Sequence, residues 1–136
     1  MSYLVDTSAA VRIWRRQVNP DWHGLIKRGL LVVCEPVLAE TLRGIDAKRY
    51  ARTEEEFRDA YVVATVPDNI WDLVAVLQRE LVPHAAHQGV SVVDLVVAAT
   101  AIRLKLEVLH EDGDFETLAR HVPQLKQRRV STGPPA

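Results

Sequence analysis

Four acidic residues stand out in this chain because each falls where an apolar segment ends or where a helix is expected. They are Asp6, Glu40, Asp94 and Asp112, and Asp114 lies close to the last of them. If the apolar segments fold together, these carboxylates converge. A dry cluster of carboxylates without basic partners is best explained by a bound divalent metal. The acids therefore favour a metal-dependent hydrolase.

Each acid also has a purely structural explanation. Asp6 and Asp114 are placed to cap the helices that follow them, Asp112 precedes a glycine as in many turns, and Asp94 lies three residues after a serine, as in a capping box. Glu40 can pair with the arginine three residues later. Caps, however, are scattered wherever helices begin, whereas a metal site gathers its acids at one rim of the sheet. Since Glu40 falls inside its predicted helix, capping does not explain it, and we favour the metal site for the whole set.

Length and composition limit the other possibilities. With 136 residues, 48% of them hydrophobic, the chain is expected to form one domain with a real core. It has 17 basic and 18 acidic residues, so its net charge of −1 provides no overall positive field for nucleic acid. Phosphate contacts would need local basic patches, and each patch could instead be a solvated helix face or tail. Two patches are present, Arg12 with Arg15 and Arg16, and Lys126 with Arg128 and Arg129.

The single cysteine and the short apolar runs indicate the compartment. Cys34 follows the apolar run 30–33 and is predicted to be a buried strand residue, and one cysteine excludes an internal disulfide framework. No apolar run approaches the ~20 residues that a membrane helix needs, and the N-terminus does not have the pattern of a signal peptide. We therefore expect a soluble, cytoplasmic protein that does not associate with membranes.

Short apolar runs alternate with longer segments of helical periodicity along the chain. Strands are predicted at 3–5, 30–34, 62–66, 108–109 and 129–130, and helices at 7–17, 20–27, 36–44, 48–61, 69–81, 91–105 and 115–121. This alternation predicts an α/β fold with a mostly parallel sheet covered on both faces. Ligands of such sheets bind beyond the carboxyl ends of the strands, which is where Asp6 and Asp112 are expected.

Four short motifs of this chain resemble the acidic motifs of PIN-domain ribonucleases, and most closely those of VapC-type toxins from bacterial and archaeal toxin–antitoxin pairs. The motifs are 4–9 around Asp6, 36–40 ending in Glu40, 94–101 beginning at Asp94, and 109–115 around Asp112 and Asp114. They occur in the family's order and approximate spacing, and the resemblance extends from residue 3 to about residue 130. One variation is His110, where many relatives carry a small hydroxyl residue and others carry histidine.

The resemblance has consequences for the fold and the site. It implies a PIN-like three-layer α/β/α sandwich with a mostly parallel central sheet over residues 1–131, followed by a short C-terminal tail at 132–136. It implies an acidic site of Asp6, Glu40, Asp94 and Asp112, with Asp114 as a further ligand acting through water. Thr7 and Ser8 would orient Asp6, although capping of the first helix by either hydroxyl is an equally good explanation.

Oxygen-only ligands suit Mg²⁺, with Mn²⁺ as an alternative, and not zinc. His84 and His87 have a ligand-like spacing, but they are expected to be exposed residues near a helix end. Such a metal would activate water for attack on a phosphodiester, and two metals about 3.5–4 Å apart could share the work. The resemblance implies cleavage of RNA to a 5′-phosphate and a 3′-hydroxyl.

The resemblance also implies protein partners: a cognate VapB-type antitoxin in a hetero-oligomer, and a second copy of the chain in a homodimer. The first helices and the charged helix at 48–61 carry more large apolar side chains than a small core needs. They predict an apolar groove for an amphipathic antitoxin helix, unless they are simply core. The side chains are those of Trp14, Trp22, Leu25, Ile26, Tyr50 and Phe57.

The sequence leaves two alternative functions. A haloacid-dehalogenase-like phosphatase also begins with an aspartate after its first strand, but it needs a second aspartate two residues later, where this chain has Ser8. A non-catalytic RNA-binding or scaffold protein that retains the fold belongs to a different class. The intact set of four acids argues against it, and a titration with divalent metal distinguishes it from an enzyme.

Overall fold

The centre of the fold is a five-stranded sheet. A computed structural model describes residues 2–135, and each strand pairs in parallel with its neighbours. The spatial order is β3-β2-β1-β4-β5, so the N-terminal strand occupies the middle of the sheet. The strands are β1 (Tyr3–Val5), β2 (Leu31–Cys34), β3 (Val62–Ala64), β4 (Glu107–His110) and β5 (Gln127–Arg129).

Within residues 2–135, seven α-helices connect and cover these strands, which confirms the predicted α/β fold. They are α1 (Thr7–Trp14), α2 (Asp21–Lys27), α3 (Glu35–Arg43), α4 (Tyr50–Ala60), α5 (Ile70–Leu81), α6 (Val92–Leu104) and α7 (Gly113–His121). Two short 3-10 helices, Val82–His84 and Val130–Thr132, complete the chain. The predicted boundary between domain and tail falls inside the second of these and stays a prediction. Over residues 2–135, no helix combines the length and the apolar character needed to cross a membrane.

The first helix is shorter than its apolar pattern predicts. Helix α1 was expected to reach about residue 17 but ends at Trp14. Arg16 adopts a left-handed conformation with φ 55°, and the N–H groups of Arg16 and Gln17 donate to the carbonyls of Ile13 and Arg12. This pair of hydrogen bonds is a Schellman motif, which satisfies the last carbonyls of a helix and turns the chain away.

The core lies on both faces of the sheet. All three residues of β1 and all four of β2 are buried, including Cys34, as the sequence predicts. Helix α6 is apolar nearly all round, and its residues from Leu95 to Ala101 are buried, which confirms that it is a central helix. Its first turn lies outside this buried stretch, so Asp94 comes at the point where the helix leaves the core.

Candidate metal centre

The first acid of the site follows β1. Asp6 is only 4% exposed and caps α1, because its Oδ1 accepts a hydrogen bond from the Ala9 N–H at 3.0 Å. The Ser8 hydroxyl donates to the same carboxylate, at 2.8 Å to Oδ1 and 3.0 Å to Oδ2. Burial raises the pKa of Asp6, while the hydrogen bonds from Ala9 and Ser8 act in the opposite direction. Oδ2 is left with free lone pairs for a further partner.

The third acidic motif begins at the N-terminus of α6. Ser91 caps this helix, its hydroxyl accepting from the Asp94 N–H at 3.1 Å. The cap leaves Asp94 in the first helical turn, half-buried beside the other acids. Burial, and then the charges of Asp112, Asp6 and Asp114, raise the pKa of Asp94 to about 7. The carboxylates of Asp6, Asp112 and Asp114 therefore all lie within electrostatic reach of Asp94.

The last acidic motif forms the loop between β4 and α7. Asp112 caps α7, and its Oδ1 accepts from the Asp114 N–H at 3.0 Å. Asp112 is thus the cap, and the expectation that Asp114 caps this helix is wrong because Asp114 already lies in the first turn. Burial and the charge of Asp112 raise the pKa of Asp114.

Three of the acids form a tight group. One carboxylate oxygen each of Asp94, Asp112 and Asp114 lie within 4.8 Å of one another. Asp6 couples to this group through its charge but does not share its oxygen cluster. From the sequence, Asp114 was given only an outer role through water, whereas the structure places one of its carboxylate oxygens within 4.8 Å of oxygens of both Asp94 and Asp112.

Glu40 is held by the residue after Asp6. It lies near the end of α3, where the Thr7 hydroxyl donates to its Oε1 at 2.5 Å across 33 positions of sequence. Thr7 therefore contacts Glu40, whereas Ser8 contacts Asp6 as expected. Neither hydroxyl caps α1, since Asp6 itself does so. The contact fixes Glu40 next to the end of β1, outside the group of three.

The acids have no basic partners in the part of the chain described here. Among residues 2–135, no ion pair includes Asp6, Glu40, Asp94, Asp112 or Asp114. The N-termini of α1, α6 and α7 lie at these acids, and their dipoles offset only part of the mutual repulsion. All the donors of the site are carboxylate oxygens, and Asp94 keeps its proton up to about pH 7. Such a set of donors fits a hard divalent cation.

The two predicted basic patches differ in whether their charges are paired with acids. Arg12, Arg15 and Arg16 are exposed on or just after α1. Arg129, in contrast, is paired with Glu111 at 3.0 Å and with Glu116 at 2.6 Å. Arg129 is therefore held in ion pairs on β5 and is not part of a solvated tail, whereas the arginines at α1 are exposed to solvent.

The histidine pair of the sequence analysis is not part of the acidic site. His84 is exposed, as expected, and its ring stacks on His121 with centroids 3.9 Å apart. His87, in contrast, was also expected to be exposed but is partly buried. The buried histidine that touches the site is His110, whose Nδ1 accepts from the Asp112 N–H at 3.0 Å. From the sequence, His110 stood out as a variation in the fourth motif that bears on the hydrogen bonding around Asp112, but no partner was predicted for it. A histidine two residues before a capping aspartate is the signal that could have indicated this contact.

The fold and the acids together are those of a nuclease-like α/β domain. The family model of the PIN domain matches residues 3–121, which include every acid of the site. The chain belongs to the PIN-domain family.

Relatives with known names are similar over most of the chain. Ribonuclease VapC21 of Mycobacterium tuberculosis (strain ATCC 25618 / H37Rv) is 33% identical over 132 residues, which cover 96% of each chain. Ribonuclease VapC6 of the same strain is 37% identical over 98 residues, 71% of this chain and 77% of the relative.

Solved structures confirm the PIN-like sandwich. DNA-bound VapBC from Salmonella typhimurium contains a chain with a TM-score of 0.77 and 13% identity, covering 96% of this chain and 98% of that one. VapBC2 from Rickettsia felis, bound to a DNA fragment from its promoter, gives a TM-score of 0.74 with 17% identity, covering 95% and 98%. At these identities the likeness concerns the fold alone.

Proposed function

We propose that this protein is a metal-dependent endoribonuclease and the toxin of a VapBC-type toxin–antitoxin pair, which inhibits translation or growth by hydrolysing RNA phosphodiester bonds. The observation that carries the proposal is the group formed by Asp94, Asp112 and Asp114, which has no basic partner among residues 2–135. The names of the VapC ribonucleases that resemble the chain support RNA as its substrate.

The acids divide into two sets with different tasks. Asp94, Asp112 and Asp114 would hold the ion directly, and Asp6 would offer its Oδ2, which can accept a further partner besides the Ser8 hydroxyl. Glu40 is held by Thr7 outside the group, which suits it to orient the attacking water and to accept its proton. The ion would supply a more acidic water and stabilise the charge that develops on the phosphate. Mg²⁺ is the expected ion and Mn²⁺ an alternative, because both accept an all-oxygen ligand set.

The RNA backbone needs positive charge near a site that itself repels phosphate. Arg12, Arg15 and Arg16 lie on the helix that Asp6 caps, and they are the exposed basic patch nearest to it in sequence. We therefore assign the first phosphate contacts to this patch and not to Arg129, whose charge is already neutralised.

The experiment is cleavage of a mixed cellular RNA pool by the purified protein, with Mg²⁺, with Mn²⁺ and with excess chelator. We expect metal-dependent cuts with 5′-phosphate and 3′-hydroxyl ends, and loss of the cuts in Asp6→Asn. Calorimetry at millimolar metal is run in parallel. Absence of both metal binding and RNA cleavage would favour a non-catalytic RNA-binding or scaffold protein over an enzyme.

A cytoplasmic location, where RNA is available and Cys34 stays reduced, is part of the same proposal.

The antitoxin would occupy a groove around Trp14. Trp14 is partly buried between two cavities, one of about 340 Å³ against α3 and one of about 170 Å³ against α4. The predicted apolar groove is corrected in part, because Trp22 is a core residue with 0% exposure, and Phe57, with 4% exposure, lines only the smaller cavity. Trp14 and Ile26 line the remaining groove, and Arg15 and Arg49 flank it. An amphipathic helix with apolar residues on one face and acids at its edge fits this groove.

Co-expression with the protein encoded by the adjacent reading frame tests this partner. We expect a stable hetero-oligomer in which RNA cleavage is inhibited, and weaker capture of the antitoxin by Trp14→Ala.

A homodimer of toxins is expected as well. The candidates for its interface are the exposed apolar side chains of α5 and α6, chiefly Trp71 at 62% exposure and Val92 at 58%. Light scattering of wild type and Trp71→Ser measures this directly.

A further inference from the structure

His110 is a buried polar residue directly behind the acidic loop. It is the last residue of β4, its side chain is 0% exposed, and its ring packs against Phe115 with centroids 5.2 Å apart. Both ring nitrogens are engaged. The Asp112 N–H donates to Nδ1 at 3.0 Å, and Nε2 lies 2.6 Å from the Oε1 of Gln127 on the adjacent strand β5.

The two contacts define one tautomer of the ring. A backbone N–H can only donate, so Nδ1 must be the acceptor and carry no proton. The proton then lies on Nε2, where it is donated to the Gln127 amide oxygen. The ring is therefore a rigid link from β5 to the backbone of Asp112, made of two directional hydrogen bonds.

Packing alone does not require an imidazole at this position. A leucine would fill a comparable volume against Phe115 without the cost of burying two polar nitrogens. The nitrogens are fully used, however, and the group they fix is the backbone N–H of a residue in the acidic site. The Asp112 side chain caps α7 at the same time, so the loop is held at both its backbone and its carboxylate.

We propose that His110, set in its Nε2–H tautomer by Gln127, is a positioning residue that holds the backbone of Asp112 so that its carboxylate meets those of Asp94 and Asp114. The proposal rests on the proposed metal site but concerns a residue that touches neither metal nor substrate. Groups behind metal ligands typically change metal affinity by about 10–100-fold when they are replaced.

Two substitutions separate positioning from stability. His110→Asn keeps an oxygen close to the place of Nδ1, where it can accept the Asp112 N–H, but leaves Gln127 without its donor. His110→Leu retains the volume and loses both hydrogen bonds. We expect Mn²⁺ affinity measured by calorimetry to fall by about 10–100-fold in His110→Leu and to stay near the wild-type value in His110→Asn.

Thermal stability is measured on the same samples. His110→Asn leaves a cavity and an unpaired amide, so it is expected to be at least as destabilised as His110→Leu. If metal affinity follows stability in both variants, or if His110→Leu binds Mn²⁺ as tightly as wild type, the positioning role is wrong. Gln127→Met removes the acceptor of the His110 Nε2 proton and should weaken Mn²⁺ binding. Gln124→Met, at an exposed position, serves as its control and should leave Mn²⁺ binding unchanged.

A second readout needs no metal. Nitrogen-15 NMR of the apo protein should show the Nε2–H tautomer of His110, and hydrogen exchange at the Asp112 amide should be slow in wild type and His110→Asn but fast in His110→Leu. An Nδ1–H tautomer, or equal protection in all three proteins, would overturn the inference. Failure of wild type to bind Mn²⁺ would instead count against the metal site, and the exchange data would still decide the role of His110.

Discussion

Replacing Asp94 by asparagine should stabilise the metal-free protein at neutral and alkaline pH. Burial and the neighbouring acids raise the pKa of Asp94 from 3.8 to about 7, so ionisation is unfavourable in the folded state. The sign follows from proton linkage: the folded protein holds this proton more tightly than the unfolded chain does. Below about pH 4 Asp94 therefore adds no cost to the free energy of unfolding. The cost grows as the pH rises from about 4 to 7, and it is complete above about pH 7.

The magnitude follows from the same pKa. Since each pKa unit corresponds to about 1.4 kcal/mol, the cost has an upper bound of about 4 kcal/mol at pH 8. Asp94 keeps part of its surface in water, so screening reduces the expected cost to about 1–2 kcal/mol. For a domain of this size that corresponds to a rise in Tm of about 3–8 °C for Asp94→Asn.

The assay is a series of thermal melts in chelator at pH 5 and pH 8. The matched control is Asp72→Asn, because Asp72 is also the third residue of its helix but is exposed and outside the acidic group. Asp94→Asn should melt above wild type at pH 8 and by a smaller margin at pH 5, and Asp72→Asn should show no such pH dependence. Added Mn²⁺ should raise the Tm of wild type and of Asp72→Asn, but not that of Asp94→Asn. A variant that melts at or below wild type at pH 8, or a difference independent of pH, would refute the electrostatic argument.

The remaining predictions concern metal binding, stability and toxicity. Because a metal must displace the proton of Asp94, apparent Mn²⁺ affinity measured by calorimetry should rise about tenfold between pH 6 and pH 8; a flat profile would contradict the pKa of about 7. Trp22→Phe removes the donor to the Val130 carbonyl and should lower the unfolding free energy in urea by about 1–3 kcal/mol, and an unchanged midpoint would contradict this. Arg16→Gly should stabilise the protein by about 1 kcal/mol, because Arg16 has a positive φ; a lower Tm would show that its side chain makes a compensating contact. Expression of wild type should halt growth while Asp6→Asn does not, and equal toxicity would point to sequestration of a partner.

The sequence predicted the position of the acids better than their contacts. Asp6 and Asp112 follow strands of a parallel sheet, so the alternation of strands and helices was enough to place them at one edge. Glu40 and Asp94 lie on helices, whose placement beside that edge depends on packing that periodicity does not encode. They were assigned through the conjunction of all four acids and through the family resemblance.

The details that were missed depend on long-range partners or on backbone conformation. The contact of Thr7 with Glu40 spans 33 residues and the contact of His110 with Gln127 spans 17, so neither follows from a local pattern. Helix α1 is followed by Arg16 in a left-handed conformation, and no glycine in the sequence signals its end. For α2, in contrast, Gly29, with φ 70°, correctly signals the end. Trp22 was expected in a groove because the first helices carry more large apolar side chains than a small core needs, but its indole N–H donates to the carbonyl of Val130 in the core.

The central claim is that the grouped carboxylates bind a metal ion and that the protein needs this ion to cleave RNA. It is tested most directly by comparing RNA cleavage by wild type, Asp94→Asn and Asp72→Asn at one protein concentration while Mg²⁺ is titrated from zero to millimolar levels. We expect cleavage by wild type and Asp72→Asn to rise with Mg²⁺ along the same curve. Asp94→Asn should stay at the level of the metal-free control although it remains folded. Wild-type cleavage by Asp94→Asn, or cleavage by wild type that is unaffected by removal of the metal, would contradict it.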